Sequence, residues 1–398
     1  MTRSELLAIV HATNCAEAAG DLVFLGDENW TASERAQAEK LKAEAQSFSA
    51  ETGWLCVRTG GSGGGFRFAR HDERTLAAAV EGFRAHFGIE RVNAVDVLPP
   101  YHVSGLMARV RCAATGGEHV PWQWKELEAG SPPPLNLPHG EDWVISLVPT
   151  QLQRLLPNKE IVAWLRGFKI IFLGGGPLWP ELADAAAKAQ LCVSPSYGMT
   201  ETAAMVAALR PEEFLAGARS CGVALPHARV RVNGEGAICV AGESLFRGYV
   251  GGGESKSGRK TPPTASAGVG ESSEFVTEDA GRIDARGHLH VLGRRDAVII
   301  TGGKKIQPAE VETVLRASGA FADVAVLGVP DPEWGEIVIA CYVASGAGQP
   351  DFAQAVAGLA PYQRPKRFVA IAAEEWPRNA HGKVNRAELR KKLKAGGR

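Results

Sequence analysis

Short apolar runs that break at glycine, proline or a polar loop, and then hand over to a stretch with helical spacing, recur through the first half of the chain. Residues 54–57 run into a glycine-rich loop at 59–65 and on to helix-patterned 73–87. Residues 92–98, 144–148 ahead of 151–156, and 169–173 ahead of Gly174-Gly175-Gly176 and the alanine-rich 181–190 repeat the order. Such repetition predicts an α/β fold with a parallel, doubly wound sheet that binds its ligand at the carboxyl ends of the strands. Residues 32–49, polar, alanine-rich and free of Gly and Pro, predict a surface helix.

Beyond about residue 219 the texture changes. Residues 228–232 and 237–240 suit a β-rich subdomain, and 251–273, rich in Gly, Ser, Thr and Pro, predict a mobile surface loop. A compact α+β pattern follows from 297: a strand at 298–300, a helix opened by Pro308 and Glu310, and strands near 324–329, 337–343 and 368–371. The last ten residues are basic and helix-forming, and read as a solvated tail. A chain of 398 residues exceeds one core. The expectation is a large N-terminal domain of βα-layered sheets with a β-rich subdomain, 1–295, and a small mobile α+β C-terminal domain, 296–398.

Lys plus Arg and Asp plus Glu both total 44, so no net field draws nucleic acid or an anionic membrane, and a small-molecule partner is expected. The 7 cysteines form no C-x-x-C pair and predict buried thiols in a reducing compartment. Residues 1–20 lack a leader-like apolar core, and no later run reaches the roughly 18 apolar residues of a membrane span. The expected location is cytoplasmic, with no stable membrane insertion; a homo-oligomer is left open.

Four segments carry chemistry. In Thr59-Gly60-Gly61-Ser62-Gly63-Gly64-Gly65-Phe66-Arg67, glycines let successive N–H groups face one concavity and Arg67 adds a cation, which suits a triphosphate. In Ser196-Tyr197-Gly198-Met199-Thr200-Glu201-Thr202, a carboxylate beside hydroxyls at a strand end can hold Mg²⁺ on a phosphate, and an aromatic ring can stack on a base. Asp279, Arg294 and the run Thr301-Gly302-Gly303-Lys304-Lys305 combine a ribose-type acceptor, a donor and a close-approach turn. Lys383 follows Gly382 in a polar turn as a mobile point charge. Each alone has a plain alternative: linker, capped polar loop, solvated charges, exposed lysine.

Their order and separation resemble the adenylate-forming superfamily of acyl-CoA synthetases, peptide-synthetase adenylation domains and luciferases, over about 59–390. Within it, 98–106, 146–156 and 302–312 look like the o-succinylbenzoate–CoA ligases of menaquinone biosynthesis. The resemblance implies a CoA ligase that uses ATP, Mg²⁺ and coenzyme A as co-substrate to activate a carboxylic acid. By resemblance Glu201 holds the metal. Thr59, Gly60, Gly61, Ser62, Gly63, Gly64, Arg67 and Thr200 hold phosphates, while Gly174, Gly175, Gly176, Ser196, Tyr197, Gly198, Met199, Asp279 and Arg294 hold the rest of the nucleotide. His102 and Ser104, with Gly198 and Met199, line the acyl pocket, Lys383 bridges carboxylate and α-phosphate, Asp296 is a hinge, and Gly302, Gly303 and Lys305 face the thiol cofactor. Fewer residues precede Thr59 than in the family, and Arg67 stands where the family carries lysine. The alternatives are an adenylating enzyme for another acid or for a carrier-protein thiol, and a non-catalytic nucleotide-binding relative.

Overall fold

The computed structural model describes residues 1–27, 30–45, 52–60, 66–134, 142–250, 274–346, 350–378 and 384–395. The loop expected at 251–273 lies outside them. At the centre is a seven-stranded sheet in the order Val223–Ala224, Ala204–Ala208, Val193–Met199, Ile170–Leu173, Trp143–Leu147, Asn93–Asp96, His119–Pro121. The five strands from His119–Pro121 to Val193–Met199 run parallel, and the other two add on antiparallel. A parallel sheet needs helices on both faces, so its strands read as continuous apolar runs; Ile170–Leu173 is Ile-Ile-Phe-Leu, buried throughout. Phe83 of the helix Glu73–Phe87 and Ala108 and Cys112 of the helix Val103–Thr115 pack on one face with Phe172 and Met205. Leu152, Ile161 and Leu182 cover the other.

A second sheet changes one expectation. Residues 54–87 are not a single strand, loop and helix: Leu55–Gly60 turns back as an antiparallel hairpin through Phe66–His71, and only then does the helix begin. Phe68, buried edge-on to Phe24 at 4.9 Å, gives the return strand its place in the core. Arg67 is therefore a strand residue opposite Thr59. Tyr249–Val250 joins the far side of the same hairpin, with Tyr249 opposite Ala69.

The β-rich region is a four-stranded antiparallel sheet of Ala228–Val232, Ala237–Gly242, Glu274–Ile283 and Leu289–Arg294. The α+β region sets the helix Pro308–Ala317 against one face of a sheet built from Ile299–Thr301, Lys304–Ile306, Gly335–Ala344, Phe321–Asp331 and Arg367–Ala370. Its other face is covered by the helix Arg386–Ala395, whose Leu389 and Leu393 pack with Trp376 and Ile339. The terminal segment is thus a packed helix, not a solvated tail, because two leucines four residues apart share one face. All seven cysteines are free thiols, with Cys56, Cys112, Cys239 and Cys341 buried. Among the described residues no helix is long and apolar enough to cross a membrane.

Candidate active site at the carboxyl end of the central sheet

The strand Val193–Met199 ends in a 3-10 turn, Thr200–Thr202, before the chain reverses. Ala203 and Ala204 take φ of +51° and +80°, a left-handed stretch that side chains resist at about 1–3 kcal/mol each. Thr202 holds the reversal: its hydroxyl lies 3.0 Å from the Met199 carbonyl and 2.6 Å from that of Ala204, and accepts from the Met199 N–H. A Cβ on Gly198 would stand 2.0 Å from the Ala204 oxygen, so only glycine fits there. The turn presents Glu201, 6% exposed. Thr59 at 2.9 Å and Tyr249 at 2.8 Å both donate to its Oε1. The Arg67 guanidinium lies 3.8 Å from the centre of the Tyr249 ring.

Beneath this turn sits His71. Its Nε2 lies 2.7 Å from the Thr200 carbonyl oxygen, which can only accept, so Nε2 carries the proton; Nδ1 is 3.1 Å from the Thr75 hydroxyl. Complete burial pushes His71 down to about 4, outweighing the contact with Thr200, and keeps the ring neutral. Thr200 itself donates to the Arg58 carbonyl. Asp72 caps the helix Glu73–Phe87 and receives Arg247 at 2.8 Å, which anchors the loop before Tyr249.

On the strand that leads into this turn, Tyr197 is buried, and its hydroxyl donates to Asp279 at 2.8 Å, with Thr277 at 3.4 Å. Asp279 pairs in register with Arg294. Arg294 lies 3.9 Å from Asp279 but grips Asp296 with two bonds of 2.8 Å. The expected nucleotide pair and the expected hinge residue are therefore already linked. Gly174 abuts Ser196: a Cβ there would lie 3.2 Å from the Ser196 hydroxyl. Gly176 faces Pro149, and Met199 packs at the edge of the core that holds Tyr197.

His102 is the N-cap of the helix Val103–Thr115, 4% exposed and edge-on to Tyr101 at 4.6 Å. Ser104 is half-buried in its first turn. Down the same face, at positions four and seven along, come Ala108 and Arg111. Arg111 is 4% exposed, lies 4.4 Å from the Phe83 ring centre, and its Nε and Nη2 meet no acceptor among the described residues. Burial pushes it down to about 10. His227, pressed against Gly82, is pushed down to about 4 by burial and by the Arg111 charge.

On the α+β region, Gly302 and Gly303 form the two-residue turn between Ile299–Thr301 and Lys304–Ile306, at φ of +51° and +76°, the left-handed pair a tight hairpin requires. Gly302 donates to the Trp334 carbonyl, while the space beside Gly303 is open and Lys305 is exposed. Gly61, Ser62, Gly63, Gly64 and Lys383 lie outside the described residues. The flanks of Lys383 are held firmly, however: Arg378 pairs with Asp323, Arg386 pairs with the buried Glu312, and Arg316 lies against both carboxylates.

The sequence reading missed Tyr249, His71 and Arg111. The described residues contain no cluster of three or more His, Cys, Asp or Glu able to cage a metal. One oriented carboxylate does suit Mg²⁺, which keeps several waters and binds through one or two carboxylates together with substrate phosphates.

A parallel sheet flanked by helices, with a carboxylate at the end of one strand held by Thr59 of the hairpin Leu55–Gly60 and Phe66–His71, defines an α/β protein of nucleotide-binding type. The chain belongs to the AMP-binding enzyme family, which it matches over residues 7–250, and residues 310–383 match the AMP-binding enzyme C-terminal domain. It is 32% identical over 305 residues to 2-succinylbenzoate–CoA ligase of Listeria monocytogenes and 31% identical over 335 residues to that of Enterococcus faecalis, covering 76% and 80% of this chain. The matches span only 62% and 64% of those two proteins. Among solved structures, o-succinylbenzoate CoA synthetase of Bacillus subtilis in complex with its acyl-adenylate intermediate superposes with TM-score 0.72 at 25% identity, covering 92% of this chain and 77% of that one. ATP-bound MatB of Rhodopseudomonas palustris gives 0.71 at 26% identity, over 87% of this chain and 69% of the other.

Proposed function

We propose that this chain is an AMP-forming acid–thiol ligase that activates o-succinylbenzoate with ATP and transfers the acyl group to coenzyme A. The observation that carries the reading is the meeting of Glu201, Thr59, Tyr249 and Arg67 at a strand end, with Asp279 and Arg294 one residue pair away. Relatives named for this reaction and the acyl-adenylate complex support the substrate. The buried Arg111, whose Nε and Nη2 meet no acceptor among the described residues and which lies on the helix face that begins at Ser104, favours an acid with a second carboxylate.

A carboxylate is a poor electrophile until its oxygen is joined to a good leaving group. Attack on the α-phosphorus displaces pyrophosphate, and the protein's part is to position reactants and offset charge. Thr59, the glycine-rich loop and Arg67 cradle the phosphates, while Asp279 and Arg294 grip the ribose. Mg²⁺, held by Glu201, would supply further neutralisation of phosphate charge. Lys383 approaches from the C-terminal domain, here assigned to 296–398, to bridge carboxylate and α-phosphate. Rotation about Asp296 withdraws Lys383 and turns Gly302 and Gly303 toward the pantetheine arm for thioester formation.

Pyrophosphate release measured across a panel of acids that includes o-succinylbenzoate, with and without CoA, tests the proposal. The expected result is release dependent on that acid and acyl-CoA formed only with CoA. Release with other acids alone would reassign the substrate, and no release with any acid would overturn ligase activity. Lys383→Ala should slow adenylate formation by about 10²–10³-fold. The same variant should convert preformed acyl-adenylate and CoA to thioester at a near-normal rate.

A further inference from the structure

We infer that Tyr249 is a positioning residue that sets up two parts of the nucleotide site at once: it aims the Glu201 carboxylate through its hydroxyl and seats Arg67 with its ring. This rests on the proposed function, since it concerns the same ATP site. The tyrosine comes from neither element that forms the turn or the loop. It belongs to Tyr249–Val250, a two-residue strand that adds to the hairpin opposite Ala69 and Phe68. Arg247, two residues earlier, is locked on Asp72, and the Arg247 N–H donates to the Arg70 carbonyl, so the strand enters at a fixed place.

Two consequences follow from the geometry. Both hydroxyl donors, Thr59 and Tyr249, fall on Oε1 of Glu201, so the two bonds together fix the plane of the carboxylate. A carboxylate held in one orientation by its hydrogen-bond donors would be ready to hold Mg²⁺ without reorganising. On its other side the ring holds Arg67 at 3.8 Å and is itself braced by Phe246 at 4.6 Å. An arginine resting on an aromatic face keeps its edge donors for a phosphate.

The hydroxyl and the ring can be separated. Titrating full-length protein calorimetrically with ATP, once with Mg²⁺ and once with EDTA, gives the metal-dependent gain in affinity for each variant. Tyr249→Phe keeps the ring, so EDTA-ATP affinity should stay at the wild-type value while the metal-dependent gain shrinks by about tenfold, the scale of a lost hydrogen bond to a charged group. Tyr249→Leu removes both parts and should weaken EDTA-ATP binding as well. Melting temperatures verify that each variant is folded. Thr59→Val removes the other donor and should also shrink the metal-dependent gain, but with weaker EDTA-ATP binding, since Thr59 is assigned to the phosphates as well. A Tyr249→Phe protein with the full metal-dependent gain overturns the positioning role and leaves the proposed function standing. A wild-type protein that gains nothing from Mg²⁺ overturns both.

Discussion

The hydroxyl of Tyr197 donates to Asp279 at 2.8 Å, joining a strand of the central sheet to the β-rich sheet across 82 positions of sequence. The bond fixes one carboxylate oxygen before any ligand arrives, while Arg294 is occupied by Asp296. Asp279→Ala should therefore weaken ATP by one to two decades, from roughly 1.5–3 kcal/mol for a charged hydrogen bond. Tyr197→Phe should cost less, since the carboxylate remains. Equal losses, measured by titration, would mean that the tyrosine acts through folding rather than through Asp279.

Arg111 makes an opposed pair of predictions. A buried guanidinium without a carboxylate partner is unfavourable in the empty protein, so Arg111→Met should keep or raise the melting temperature. The same change should raise KM for a dicarboxylic acid by one decade or more and leave KM for ATP unaltered. A lower melting temperature with unchanged substrate preference would make Arg111 a structural residue.

His71 gives a pH dependence. Its value falls from 6.5 to about 4 on folding, so the unfolded chain takes up a proton that the native protein does not. Its contribution is complete above pH 6.5, falls by about 1.4 kcal/mol per pH unit on acidification, and levels off below about pH 4. Unfolding free energies from urea titrations of wild type and His71→Gln between these limits should diverge by that slope. Parallel curves would show that His71 titrates normally in the fold.

Leu389 is fully buried in the terminal helix. Leu389→Ala should cost about 2–5 kcal/mol of stability in the α+β region, the range for a leucine truncated in a core. A solvated helix would show almost no change in chemical unfolding.

The strands and helices of the central sheet were legible because their apolar runs and helical spacing repeat; the helix expected at 73–87 is Glu73–Phe87. The hairpin was not, because a glycine-rich loop after a strand has the same local texture whether a helix or a strand follows, and Phe68 reveals its role only against Phe24. The terminal helix was hidden by the lysines around Leu389 and Leu393. At the site, Glu201, Thr59, Asp279 and Arg294 sat in motif order; in the fold Thr59 bonds Glu201 and Asp279 lies beside Arg294. Tyr249 follows a short apolar run beside a low-complexity stretch, and Arg111 reads as an ordinary surface arginine in a helix. What marks them is burial and a partner from another element, and neither has a local signature.

Glu312 accepts from the Val326 N–H and from Arg386, and has Arg316 beside it, while Asp323 holds Arg378. A bridge also joins Arg378 to Val384. The two described segments that end at Arg378 and begin at Val384 are thus riveted to the strand Phe321–Asp331 and the helix Pro308–Ala317. Anchors of this kind act like the two piers of a bridge, each held by its own carboxylate. Removing Glu312 or Asp323 would therefore loosen one pier and leave the other standing.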